Sequence, residues 1–527
     1  MVAASELPIT TVRQGTTAQD MAETIFGDGV VVVDASYTGD NRSAGIFRDG
    51  SSIAPNATPS DTGVILSTGR ADDYTNSSGD ANQSTDTTTN TRGPNNDPLF
   101  NAAAGVRTRD TSFLDVDFVP DQDVMTMQFV FASEEYPEFQ TTIYQDFIGV
   151  WVNGTQVPLA VGDTGIDPGN INSVSNSNLY VDNAASAVNT EMDGLMLTLS
   201  LTIPVEAGSL NSIRIGVADV FDARYDSSLL IAADSLQTDL VAETDTLSMG
   251  VNDIGKVEVL NNDINNSGGA LTITHINGVP ATTGTMVTLK SGQTVVLNPD
   301  ASIEIFGDGD VEDFSFTYTV DNGVNTDTGI VNVSTIPCFV VGTLIKTPDG
   351  ECPIESLDVG DLVLTQDDGP QAIRWIGRRK VQGTGPFAPI RIRANTFGRH
   401  RQLLVSPEHR ILIRDGLAEL LFGEPEVLVP AKALIDDLRV RPVPGAQVEY
   451  VHIMFDRHQV IFAEGLPAES FLPGPQTTSS FESAIIDEIC TIFPEIDPWT
   501  GHGYGRAARR TLRRFEADLL QQTRISS

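Results

Sequence analysis

CFVVGTLIKTPDGECPIESLDVGDLVLT, Cys338–Thr365, follows a long acidic region with no cysteine and a single histidine. TLIKT and DLVLT read as short strands, PDGE as a turn and PIESLDVGD as a tight connection, so an all-β domain begins at the thiol. Such a position suits a nucleophile. The sulfur of Cys338 reaches the Pro337 carbonyl through a five-membered ring, and this proximity offsets the inertness of an amide. Attack would give a thioester. That exchange requires a proton donor for the leaving nitrogen and a group that polarises the carbonyl. SPEH, Ser406–His409, at the edge of the predicted strand RILI, supplies a hydroxyl and an imidazole three residues apart.

Four ordered motifs, CFVVGTLI, GDLVLT, SPEHRIL and FDRHQVIFAEGLPAESF (Phe455–Phe471), resemble the Hint domain, the self-processing fold shared by hedgehog C-terminal domains and inteins. The bacterial type is the nearer pattern, with PCF at its start, a WIG segment and LFGEPEVLVPA. The resemblance implies that Cys338 is the nucleophile and that His409 protonates the scissile nitrogen while the Ser406 hydroxyl, in place of threonine, helps hold the amide. His458 matches a histidine opening a hedgehog strand. Ser470 stands where hedgehogs carry a second cysteine, Phe471 replaces tyrosine, and Asp456 is expected to orient His458 or raise its proton affinity. No terminal His-Asn precedes a Cys, Ser or Thr, so splicing is not expected, and no sterol-recognition region is evident. What remains is autocatalytic cleavage in cis at Pro337–Cys338, with the chain's own N-terminal segment as substrate, an unidentified acyl acceptor and no cofactor. Pro337 hinders approach to its own carbonyl. The competing reading is a Hint fold whose Cys338 is simply packed.

Upstream, residues 6–236 run as short apolar or alternating stretches separated by Gly/Asn/Asp/Ser turns, the pattern of an antiparallel β-sandwich. FVFASEEYPEF with YQDFIGVWVNG, and RIGVADVFDARYDSSLLI, resemble the choice-of-anchor L domain. Glu134, Glu135, Asp146, Asp219, Asp222 and Asp226 fall at predicted strand ends, and hard oxygen ligands from several loops suit Ca²⁺; the alternative is solvated turn acids. Tyr74–Pro98, almost without apolar residues, reads as a mobile surface loop. Residues 240–335 resemble a cadherin-like or immunoglobulin-like repeat, ending in a hairpin of an FTYTV strand, a DNG turn and a VNVS strand. The GDGDVED run, with Asp308, Asp310 and Glu312, lacks EF-hand spacing and reads as turn chemistry. The expected architecture is mainly β: two sandwich modules, a Hint domain over 338–474 and a partly helical tail over 475–527.

The bulk numbers fit separately composed modules. Residues before Cys338 carry 11 Lys and Arg against 46 Asp and Glu, and those from Cys338 onward 21 against 25. A net charge of −39 argues against nucleic acid or anionic membrane as partner, since both demand a basic patch. Three cysteines, Cys338, Cys352 and Cys490, form neither a bridge framework nor a metal-site spacing. Cys352 is expected in a turn and Cys490 on a buried helix face. Arg506, Arg509, Arg510, Arg513 and Arg514 are expected on a basic helical end, read as a solvated face in preference to one docked on the acidic sandwich. No apolar run spans a membrane, and the N-terminal residues lack the pattern of a signal peptide. The expectation is a bacterial secreted or surface protein with an unknown surface ligand, exported by another route.

Overall fold

The computed structural model describes the chain except residues 1, 85, 141, 143–144, 162–163, 250–253, 308–313, 335–338, 383–387, 408, 437, 446, 473–491, 494–503, 505–506, 513–516, 518–519 and 521–527. Cys338, Cys490, Arg506, Arg513, Arg514, Asp308, Asp310 and Glu312 therefore lie outside the described residues. The chain divides into two compact units. One comprises Met1–Asp245, Lys256–Ile305 and Phe314–Asn332, the other Thr246–Gly255, Phe306–Asp313 and Val333–Ser527.

The first unit contains the expected antiparallel sandwich. One sheet runs Val30–Thr38, Thr108–Pro120, Asn211–Val220, Phe147–Val152 and Thr155–Gln156. The facing sheet is built around Gly63–Ser67, Ser227–Ala232 and Val124–Ser133. Alternation decides which side chains enter the core: in FLDVDF, Leu114, Val116 and Phe118 are buried there with Phe129, Phe131 and Ile215. Asp115 points away and meets Arg214, its cross-strand neighbour, at 2.7 Å.

Tyr74–Pro98 departs from the expected solvated loop. Tyr74, Ala81 and Thr91 are buried, and alternate backbone amides are anchored on carboxylates. Thr87 N–H donates to Glu134 (3.3 Å), Thr89 N–H to Asp226 (2.8 Å) and Thr91 N–H to Asp110 (3.1 Å). A polar segment stays down because its backbone amides and its polar side chains both make attachments, Asn82 Nδ2 donating to Asp193 (2.6 Å) and Thr91 Oγ1 to the Thr68 carbonyl (3.0 Å). Composition alone does not reveal that.

The hairpin Phe314–Asp321 and Thr326–Ser334 forms as expected, with Asn322 Oδ1 accepting from the amides of Val324 and Asn325 in the turn. Buried Asp327 accepts from Ser200 Oγ (2.7 Å), Thr126 Oγ1 (3.1 Å) and Ala242 N–H (2.8 Å), and Gln128 donates to the Thr326 carbonyl. The immunoglobulin-like hairpin is thereby fastened to the sandwich.

In the second unit a six-stranded sheet runs Trp375–Gln382, Gln447–Met454, Phe339–Val340, Leu403–Val405, Ile390–Ile392 and Val440–Pro442. A second sheet includes Leu344–Thr347, Val460–Ala463, Leu466–Glu469, Arg410–Arg414 and Glu426–Pro430. Cys352 lies in a strand, paired with Ile345, and not in a turn. In the tail, Arg510–Thr511 adds a parallel strand beside Val427 and Leu428, and Arg509 pairs with Asp367 (2.7 Å) and Glu426 (2.8 Å). This end of the chain is docked where a solvated helical face was expected. No helix among the described residues is long and apolar enough to cross a membrane.

Phe129, fully buried on the central strand of the second sandwich sheet, tests this core. Phe129→Ala is expected to cost about 3–5 kcal/mol, read as a lower denaturant midpoint for the first unit.

Candidate functional site

In the second unit, the strand Phe339–Val340 is flanked by antiparallel neighbours on both sides. Phe339 is opposite Val405 on one and Val451 on the other. The next residues along those neighbours, Ser406 and His452, therefore lie beyond Phe339 on the side from which the chain enters the strand. The Phe339 ring meets the His409 ring at 4.0 Å between centroids. His409 is held there by a tight turn: its N–H donates to the Ser406 carbonyl (3.1 Å), its own carbonyl accepts from Ala431 N–H (2.9 Å), and the Pro407 carbonyl accepts from Lys432 N–H (2.9 Å). Ser406 and His409 are thus brought to the first described residue of the domain. Cys338, covalently next to Phe339, lies outside the described residues.

His409 is 2 % exposed; neither ring nitrogen makes a well-formed hydrogen bond among the described residues, the Glu469 backbone being the polar group that acts on the ring. Burial pushes its pKa down to about 4, against the pull of the Glu469 carboxylate, so at neutral pH the ring is uncharged. An uncharged imidazole without a well-formed hydrogen bond can accept a proton and pass it on.

His458 is differently placed. Its Nδ1 accepts from Ala508 N–H (2.9 Å), and Nε2 lies 3.1 Å from the Ser470 carbonyl, which fixes the proton on Nε2. Both nitrogens are committed, so His458 is a structural element of the site and not a free proton carrier. Asp456 does not orient it. The Asp456 side chain is 65 % exposed and paired with Arg374 at 2.5 Å. The carboxylate facing His458 is Glu469, 3.5 Å away.

Glu469, Arg410 and His452 were not singled out from the sequence. Glu469 is fully buried; burial opposes its charge, but Arg410 (3.2 Å) and the two histidines hold its pKa down to about 2. It also accepts from Arg410 N–H at 2.8 Å. His452 is buried between Trp375 and Phe471, ring centroids 6.4 and 5.5 Å away. The signals were present: Glu469 immediately precedes Ser470, and His452 sits in a strand three residues before Phe455. Ser470 is buried, its Oγ accepting from Gln459 N–H.

The first unit has a second cluster. Glu134, Glu135, Asp146, Asp219 and Asp226 are each at most 3 % exposed, whereas Asp222 is half-buried. They come from the end of Val124–Ser133, the entry to Phe147–Val152, and the connection from Asn211–Val220 to Ser227–Ala232. Asp146 accepts from Val220 N–H and from Ser227 Oγ (2.6 Å). Gly69 is required beside Asp226, because a Cβ there would fall 1.8 Å from Oδ2. Burial, reinforced by neighbouring carboxylates, pushes Glu134 and Glu135 up to about 10, Asp226 to about 7, and Asp146 and Asp219 well above the carboxylate range. As they stand, no three His, Cys, Asp or Glu side chains among the described residues converge to hold a metal ion.

Comparison with known proteins gives three family matches: a Hint domain over residues 337–475, a choice-of-anchor L domain over 10–237 and a bacterial Ig domain over 216–334. No curated protein matches the chain. Among solved structures, a gp41-1 intein is 13% identical, covering 25% of this chain and 97% of its own, with a TM-score of 0.17. An FMN-binding beta-glucuronidase from Facaelibacterium prausnitzii L2-6 is 12% identical over 49% of this chain and 38% of its own, with a TM-score of 0.16. Extracellular domains 3-5 of Drosophila OTK are 10% identical over 62% and 84%, at 0.15. TM-scores this low carry no argument; the family matches do, and they give the chain its three module types.

The depressed His409 pKa has a stability consequence. Between pH 6.5 and about 4 the unfolded chain binds a proton that folded His409 refuses, so stability is lost as pH falls through this window. The shift corresponds to about 3 kcal/mol. Denaturation of the Cys338→Ala chain from pH 7 to 4 should show the second unit weakening, and His409→Gln should flatten the dependence.

Proposed function

We propose that the second unit cuts its own chain at Pro337–Cys338. The observation that carries this reading is His409, an uncharged buried imidazole with neither nitrogen in a well-formed hydrogen bond among the described residues, packed on the residue next to Cys338. Neutral His409 takes the Cys338 thiol proton as the sulfur adds to the Pro337 carbonyl. Collapse of the adduct breaks the Pro337–Cys338 C–N bond while His409 returns the proton to the departing nitrogen. The product is a thioester carrying the acidic N-terminal part, with a free amine on Cys338. Water or another nucleophile then attacks the thioester carbonyl, which releases or transfers that part and restores the thiol. Glu469 favours the transient imidazolium, and Ser406 and His452 flank the entering chain where an amide would be held.

The choice-of-anchor L and bacterial Ig matches support a secreted or cell-surface bacterial protein, with the β modules as cargo for adhesion. The competing reading, a non-enzymatic adhesion protein with an inert Hint fold, predicts an unbroken chain under all conditions.

Intact mass spectrometry of the full chain, with and without dithiothreitol, separates the two. Fragments meeting at Pro337–Cys338 are expected in the wild type and none in Cys338→Ala; cleavage that persists in Cys338→Ala sinks the proposal. His409→Ala should slow cleavage by about 10²–10⁴-fold, the usual contribution of a positioned acid–base group. Glu469→Gln removes the charge that favours imidazolium and is expected to slow cleavage as well.

A further inference from the structure

We propose that the carboxylates beneath the Tyr74–Pro98 segment form a binding site for a divalent, oxygen-preferring cation of the calcium type, with Glu135, Asp146 and Asp219 at its centre and Glu134 and Asp226 at its border. The inference is independent of chain cleavage.

Placing five carboxylates out of water is costly unless cations or a full set of donors accompany them. Neither condition is met. Glu134 Oε1, Glu135 Oε2, Asp219 Oδ1 and Asp226 Oδ2 are buried without a hydrogen-bond partner. Glu135 is the sharpest case: the residue is 1 % exposed, and the charges acting on its carboxylate come from Asp146 and Asp222. For Asp219 the acting charges are those of Asp146, Asp226 and Asp110, all of the same sign. The donors that do reach the cluster are neutral, among them the amides of Thr87, Thr89 and Val220 and the hydroxyls of Ser227, Thr68 and Thr89.

The donor set selects the ion. It contains carboxylate oxygens and no cysteine or histidine, which suits a hard cation; calcium accepts six to eight oxygens in loose geometry, whereas magnesium demands a strict octahedron. The side chains do not yet share one ligating point. Binding must therefore rotate Glu135 and Asp219, whose orphaned oxygens have no hydrogen bond to give up, toward Asp146. Asp222, named with the others from the sequence, is half-buried and falls outside the central set. Because Thr87 and Thr89 hang from Glu134 and Asp226, an ion at the border would also hold the covering segment.

The test is calorimetric titration of the full-length, metal-stripped chain with CaCl₂, paired with thermal unfolding in EDTA and in millimolar Ca²⁺. Saturable binding and a higher Tm in Ca²⁺ are expected, since a ligand that binds only the folded state stabilises it. Glu135→Gln with Asp219→Asn should abolish both effects while leaving the Tm in EDTA close to that of wild type, because neutral isosteres replace carboxyls that burial already keeps uncharged without the ion. Should the double variant not fold, Glu135→Gln alone carries the same test, and Asp222→Asn should bind as wild type does. No heat of binding with identical Tm in EDTA and Ca²⁺ would overturn the proposal and leave the cluster as a set of protonated carboxyls. Binding undiminished in the folded double variant would overturn it equally.

Discussion

A carboxylate removed from water must be matched by opposite charge, by donors or by a proton, and the two units meet this demand in opposite ways. Glu469 is matched. The Arg410 guanidinium and amide both meet it, with His458 3.5 Å away, so its charge survives complete burial and becomes a fixed electrostatic feature beside uncharged His409. The acids of the sandwich are not matched by charge, and their neighbours only compound the penalty. One anion therefore keeps its charge, while the other group is pushed toward the protonated form.

The same contrast accounts for the arrangement around the chain junction. His409 is kept uncharged by burial yet placed within the influence of Glu469, and these opposing effects together set its proton affinity. His458, chemically the same side chain, has both nitrogens engaged, one by the Ser470 carbonyl just past the strand Leu466–Glu469. Hydrogen-bond saturation, not residue type, separates the two roles.

Much of this was legible in the sequence, for identifiable reasons. Period-two alternation in FLDVDF and the DNG turn signalled the strands and hairpin that form. Ordered motifs signalled the Hint domain and led to Ser406 and His409. Proximity along the chain misled at Asp456, which points to solvent and Arg374, while the acid that matters, Glu469, arrives on another strand. Pairing across a sheet is a long-range property that local spacing does not encode. The Tyr74–Pro98 segment misled in another way: its lack of apolar side chains was read as freedom, but its amides and polar side chains supply the attachment.

Ala508 brings one end of the chain into the site, since its amide fixes the Nδ1 side of His458, while Tyr504 binds the Phe455 carbonyl at 2.6 Å. Both residues are synthesised long after the Pro337–Cys338 bond. A ribosome that has made the β modules and most strands of the second unit still holds a site lacking these two hydrogen bonds. In the proposed cleavage, Tyr504 and Ala508 would act as a completion signal, tying assembly of the site to synthesis of these later residues.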